Sequence, residues 1–63
     1  MDIEAEKDSI MTFVERANFH AAMNITISAL NECRRNEDQS GANFFLDVIY
    51  EIADTMKKSF GNV

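Results

Sequence analysis

The sequence has no proline and no tryptophan, and its 63 residues include only two glycines, one cysteine and one histidine. A single cysteine excludes a disulfide framework within the chain. One cysteine and one histidine also exclude an ordinary structural zinc site, which takes four ligands of mostly these two types. We therefore expect no metal and no cofactor. The stability of so short a chain must come from helix packing or from association with other chains.

Long apolar runs and a basic N-terminal segment are also missing. The first nine residues carry four acids and one lysine, whereas a secretory signal begins with basic residues followed by an apolar run. No apolar run approaches the roughly 18–20 residues that a membrane-spanning helix requires. An unpaired thiol suits a reducing compartment. These features predict a cytoplasmic protein that does not contact a membrane.

Positive charge is scarce, with 6 lysines and arginines against 11 acidic residues and a net charge of −5. Nucleic-acid binders use lysine and arginine to displace counterions from phosphates, so direct binding of nucleic acid is disfavoured. An acidic surface favours a protein partner with a basic surface. Glycine-rich phosphate loops, nucleophile elbows and zinc-protease motifs are absent from the sequence, so we expect no enzymatic activity.

The scarcity of proline and glycine predicts long uninterrupted helices, because these residues are the strongest breaks in secondary structure. The polar cluster over residues 36–41 is the one evident turn, and Asp38 or Ser40 can cap the helix after it. We predict an all-α fold: a helical hairpin with a long helix over about 2–36 and a short helix over about 42–60.

The apolar residues of these helices form stripes. In the short helix one face carries Phe45, Val48, Ile49, Ile52, Ala53, Met56 and Phe60. In the first half of the long helix one face carries Ile3, Ile10, Phe13, Val14, Ala17 and Ala21. In its second half the apolar face points in nearly the opposite direction and carries Phe19, Ala22, Met23, Thr26, Leu30 and Cys33. One neighbouring helix cannot cover both of these faces.

Helix length suggests how the first stripe is covered. The long helix would measure about 50 Å and the short helix about 28 Å, so the short helix cannot reach Ile3, Ile10 or Phe13. An exposed apolar patch of this kind marks an interface. We therefore predict a homo-oligomer that resembles a four-helix bundle, either a dimer or a tetramer. Its interface residues would be Ile3, Ile10, Phe13, Val14, Ala17 and Ala21. The alternative is a break near Ser9 or Asn18 that produces a three-helix bundle within one chain.

Few residues are candidates for chemistry. His20 and Cys33 lie about 20 Å apart along one predicted helix and point about 140° apart, so they cannot pair or share a metal. Asp47, Glu51 and Asp54 share one helical face and are candidates for binding a basic partner. The margins of the apolar stripe in the short helix carry two aromatic side chains that are candidate anchors for that partner: Phe44 and Tyr50.

These patterns predict a small acidic protein that oligomerises and binds another protein, for example as an antagonist, antirepressor or adaptor of a DNA-binding regulator. In length and hairpin plan the chain resembles the small plasmid copy-control proteins that dimerise into four-helix bundles and bind paired RNA loops. That resemblance implies the first alternative, an RNA- or DNA-binding bundle that would use Arg16, Lys57 and Lys58. The second alternative is a secretion or assembly chaperone that shields an amphipathic helix of its partner.

Overall fold

Three α-helices joined by two short turns make up the computed structural model, which describes residues 1–61. Helix α1 spans Ile3–Glu15, α2 spans Phe19–Arg35 and α3 spans Gln39–Ser59. The all-α prediction is confirmed, and α2 and α3 form a helical hairpin whose helices pack extensively against each other.

The single helix predicted over residues 2–36 is wrong, because the chain turns between α1 and α2. Ala17 adopts a φ of 58°, in the left-handed region that ends an α-helix. Its N–H donates to the carbonyl of Val14 at 2.9 Å, and the N–H of Asn18 donates to the carbonyl of Phe13 at 2.8 Å. These two bonds form a Schellman motif, which satisfies the last carbonyls of α1 without glycine. The chain therefore follows the alternative of a break near Asn18.

The turn between α2 and α3 repeats this backbone. Glu37 has a φ of 56°, and its N–H donates to the carbonyl of Arg34 at 3.1 Å. The N–H of Asp38 donates to the carbonyl of Cys33 at 2.8 Å. Each turn therefore has three residues, with the middle one in the left-handed region and the last one capping the next helix.

The helix caps explain where α2 and α3 begin. The side-chain oxygen of Asn18 accepts a hydrogen bond from the N–H of Ala21 at 3.3 Å. The carboxylate of Asp38 accepts one from the N–H of Gly41 at 3.0 Å. Such bonds satisfy donors of the first helical turn that have no partner within the helix. Of the two predicted caps, Asp38 is the one used, and α3 therefore begins before the predicted residue 42.

The core is built around α2, which packs on α1 on one side and on α3 on another. Small residues on α2, Ala22 and Ala29, are buried and allow close approach of its neighbours. Thr26 is the one buried polar side chain among the described residues. Its hydroxyl donates a hydrogen bond to the carbonyl of Ala22 at 2.7 Å, so this buried polar group has a hydrogen-bond partner. The largest fully buried side chains are Phe45, Ile10, Ile52, Val48 and Thr26.

The fold also changes the role of the apolar stripe of α1. Ile10 is 0% exposed and Val14 is 9% exposed within a single chain, and Ile3 and Phe13 pack partly buried against the same core. The expectation that this stripe lies in water in a monomer is therefore wrong, because the first turn folds α1 back along α2. Self-association remains a prediction, and this stripe no longer supports it.

Candidate functional site

The outer face of α3 carries the predicted acidic row. Asp47, Glu51 and Asp54 are all exposed, and Tyr50 lies among them with 70% of its surface accessible. On a helical wheel Asp47, Tyr50 and Asp54 lie within about 60° of one another, pointing away from the core, and Glu51 lies towards α1. We call Asp47, Tyr50 and Asp54 the outer α3 face. Its spacing of three and four residues places the three side chains next to one another on one rigid helix.

Two of the three carboxylates already have a cationic neighbour. Glu51 Oε2 lies 3.2 Å from Lys7 Nζ of α1, and Asp54 Oδ2 lies 2.9 Å from Lys58 Nζ one helical turn further along α3. The Asp54–Lys58 pair is largely exposed, so water and salt screen it strongly. The Glu51–Lys7 pair is partly covered, with 28% of the Lys7 side chain and 49% of the Glu51 side chain accessible. Among residues 1–61, Asp47 makes no ion pair. It is therefore the carboxylate of the row with its charge fully available to a partner.

The two aromatic candidates differ in how far other side chains cover them. The Phe44 ring packs edge-on against Phe45, with 5.2 Å between centroids. Lys7 Nζ covers it at 5.4 Å from its centroid, so Phe44 belongs to the edge of the core beside α1. Tyr50 is exposed and appears in neither of the aromatic pairs in residues 1–61. It therefore provides a free aromatic surface next to Asp47.

The residues predicted for an oligomer interface occupy three different environments. Ile10 and Val14 lie in the core, Ala17 is exposed in the first turn, and Ala21 is partly buried at the start of α2. The structure does not bring this set together as one open surface. The sequence did not indicate that Ile27 and Phe60, which are 42% and 68% exposed, would be the large apolar side chains left accessible at the edges of α2 and α3.

Cys33 and His20 lie in different surroundings on α2. Cys33 is buried at the end of α2. Burial raises the pKa of its thiol above the usual value of 9.0, and the neighbouring carboxylates of Asp38 and Glu32 raise it further. Because the thiolate is the reactive form of cysteine, a thiol with a raised pKa is a poor nucleophile at neutral pH. His20 is exposed on α2.

Two open clefts of about 290 Å³ each lie on the surface. One lies between the start of α1 and α2, with Glu6, Ile25 and Glu32 in its lining. The other lies at the second turn beside Arg34 and Asp38. Within residues 1–61 no group of three or more histidine, cysteine or acidic side chains is placed to hold a metal ion. Over the same residues, no helix has both the length and the apolar character needed to cross a membrane.

Comparison of the chain with models of known protein families, with curated proteins and with solved structures found no match.

Proposed function

We propose that this protein is a non-enzymatic binding module whose outer α3 face docks on a basic surface of another protein. The observation that carries the proposal is Tyr50, which is 70% exposed and lies between two aspartates on the longest helix. Tyrosine is enriched among the residues that dominate the energetics of protein interfaces.

The chemistry of this face suits arginine in particular. A guanidinium group can stack on the Tyr50 ring while it donates two hydrogen bonds to the Asp47 carboxylate, three residues earlier on the same face. Asp47 makes no ion pair within residues 1–61, so no internal pair has to break. The helix holds both groups in place before binding, which lowers the entropy cost of docking.

The remaining acidic charge serves the approach of the partner. The net charge of −5 attracts a basic surface over distances of about a Debye length, roughly 8 Å at physiological salt. Glu51 lies beside the face and Asp54 belongs to it, and both already have cationic neighbours. They therefore contribute to the association rate more than to the strength of the docked complex.

A DNA-binding regulator is the concrete partner that we propose. The basic surface by which such a regulator binds phosphates is also the surface that an acidic helix can occupy. The protein would then act as an antagonist, antirepressor or adaptor by competing with DNA. The alternative in which the bundle itself binds RNA or DNA would use Arg16, Lys57 and Lys58, of which Lys58 already pairs with Asp54.

The test compares two single-residue variants that change the net charge equally. A photoactivatable amino acid at position 50 should cross-link a protein in cells that express the chain naturally, and the same label at Ser28 should not. Asp47→Lys should abolish this cross-link, whereas Glu15→Lys, at the exposed end of α1, should retain most of it. Cross-linking of nucleic acid at position 50, or equal loss in both variants, would contradict the proposal.

A further inference from the structure

We propose that α1 exchanges between two copies of this chain: the first turn straightens, and α1 of each copy packs on the α2–α3 hairpin of the other. The partner is a second copy because its hairpin presents the same surface on which α1 packs within one chain. The closed monomer predominates at micromolar concentration. The exchanged dimer forms at millimolar concentration, at which the hairpin of another copy competes with the one to which α1 is tethered.

The first turn is the hinge of this exchange. Ala17 has a φ of 58°, a left-handed conformation that costs energy for any residue with a Cβ. Alanine also has the highest helix propensity of all residues, and residues 13–21 contain neither proline nor glycine. The local sequence therefore favours a continuous helix, and the packing of α1 on its own hairpin is what selects the turn.

Straightening the hinge costs no backbone hydrogen bond. In the turn, the carbonyl of Phe13 accepts from the N–H of Asn18, and the carbonyl of Val14 accepts from the N–H of Ala17. In a continuous helix these two carbonyls exchange their donors. The N–H of Ala21, which now donates to the Asn18 side chain, would donate to the carbonyl of Ala17 instead. The open form is one helix of about 50 Å over residues 3–35, which carries α1 away from its own hairpin.

Helix α1 exchanges rather than α3, because α3 is held more firmly. The buried residues of α1 are Ile10 and Val14. Helix α3 also starts tightly against α2, since a Cβ at Gly41 would lie 2.8 Å from the Cys33 sulfur. The residues that α3 buries extend over most of its length: Gly41, Ala42, Phe45, Val48 and Ile52. Undocking α1 therefore exposes much less of the core than undocking α3.

The contacts that hold α1 do not depend on which chain supplies the hairpin. Ile10 and Val14 enter the common core, and Lys7 Nζ lies 3.2 Å from Glu51 Oε2 of α3. In the exchanged dimer each of these contacts forms again between chains. Monomer and dimer therefore differ only in the conformation of the hinge and in the entropy of association. A short hinge under strain is the condition that favours such an exchange.

Hinge variants test the proposal by sedimentation equilibrium after refolding from urea at millimolar protein concentration. Ala17→Gly relaxes the turn and should raise the dimer dissociation constant at least about tenfold. Ala17→Val should lower it at least about threefold, because a β-branched residue rarely adopts the left-handed conformation. Glu37→Gly is the matched control in the second turn, which does not open, and its constant should stay within about twofold of wild type.

Charge reversal at the Lys7–Glu51 pair identifies the chain on which α1 packs. Lys7→Glu and Glu51→Lys each place like charges opposite each other in a closed chain. An exchanged dimer of the two variants instead pairs opposite charges at both of its α1 sites. Refolded together, they should form a one-to-one dimer at least about tenfold more tightly than either variant alone. A chain that carries both changes restores the pair within itself and should dimerise within about twofold of wild type.

A second mixture controls for the change in net charge. Glu15→Lys and Arg34→Glu alter the same charges at positions near opposite ends of α2, and their mixture should dimerise no more tightly than wild type. Three results would overturn the proposal: wild type and Ala17→Val that both stay monomeric at millimolar concentration, an Ala17→Gly dimer as tight as that of wild type, or equal dimerisation of the two mixtures.

Discussion

The turn between α1 and α2 and the turn between α2 and α3 have nearly the same backbone. Their left-handed residues, Ala17 and Glu37, have φ values of 58° and 56°, and the side chain of the next residue caps the following helix. Neither turn uses glycine at the left-handed position, where it is the usual residue. At the end of α3, Gly61 takes the left-handed position with a φ of 78°.

The two turns differ in how closely the helices around them approach. A Cβ added to Gly41 would clash with the Asp38 carboxylate and lie 2.8 Å from the Cys33 sulfur. The equivalent position after the first turn is Ala21, whose Cβ is accommodated at a partly buried site. Glycine at 41 therefore allows α3 to start close to the end of α2. The same backbone turn can join helices with or without this close approach.

The largest expected effect tests whether the first turn folds α1 onto its own chain. Ile10→Ala removes a fully buried side chain and should lower the free energy of unfolding by about 3 kcal/mol. Urea denaturation at protein concentrations about 100-fold apart should give the same midpoint for the wild type, because the contact lies within one chain.

Ile27→Ala is the control for Ile10→Ala. Because Ile27 is 42% exposed, its substitution should lower the free energy of unfolding by less than about 1 kcal/mol. A continuous first helix that buries Ile10 between chains would behave differently. The midpoint would then rise with protein concentration, and Ile10→Ala would make the protein dissociate before it unfolds.

The next prediction concerns the close approach at the second turn. Gly41→Ala should destabilise the protein by about 2 kcal/mol, because the new methyl group forces Asp38 out of its capping position or displaces Cys33. The melting temperature should fall by roughly 10 °C for a domain of this size.

Position 21 gives the matched comparison, since it stands at the same place after the first turn. Ala21→Gly should cost only about 0.5–1 kcal/mol, the ordinary effect of glycine within a helix. Adding Cys33→Ala to Gly41→Ala should recover part of the loss by removing the sulfur. If the Gly41→Ala protein had the same melting temperature as the wild type, the two turns would not differ in packing.

The sequence allowed more of the second turn to be predicted than of the first. The polar cluster over residues 36–41 indicated the turn, and Asp38 was one of its two candidate caps. Gly41 contributed to that prediction as a break, yet it lies inside α3 and serves the approach to Cys33. At the first turn the left-handed residue is an ordinary alanine, so composition gave no signal. The reversal of the apolar face between α1 and α2 was visible, and a break at Asn18 explains it without a second chain.

The candidate site, too, could be predicted only in part. The spacing of Asp47 and Asp54 within one helix predicts that they share a face, and both residues are exposed in the structure. The contacts of Lys7 with Glu51 and Phe44 could not be predicted from spacing. They form because the first turn brings α1 alongside α3, and that turn was the feature least evident in the sequence.

Smaller effects are expected from the two caps. Asn18→Ala and Asp38→Ala should each cost about 1 kcal/mol, since each leaves a helix N–H without its partner. Asp38→Ala should lower the free energy of unfolding more than Asn18→Ala does, because the Asp38 carboxylate also interacts with the positive end of α3. The difference between the two losses should shrink in 1 M salt, which screens that interaction. Asn36→Ala is the control: Asn36 ends α2 through its backbone N–H, and its loss should change thermal unfolding little.

The smallest expected effect is a stabilisation, whereas the substitutions described above destabilise the protein. Ala17→Gly and Glu37→Gly should each raise the free energy of unfolding by about 0.5–1 kcal/mol. A Cβ in the left-handed region is strained, and relief of that strain exceeds the added flexibility of the unfolded chain. Thermal unfolding should shift upward by a few degrees for each change and by about the sum for both, because the turns lie at opposite ends of α2. Gly61→Ala at the third left-handed position should shift it slightly downward. A destabilised Ala17→Gly protein with a stabilised Glu37→Gly protein would mean that the alanine side chain makes contacts in the first turn that the glutamate does not make in the second.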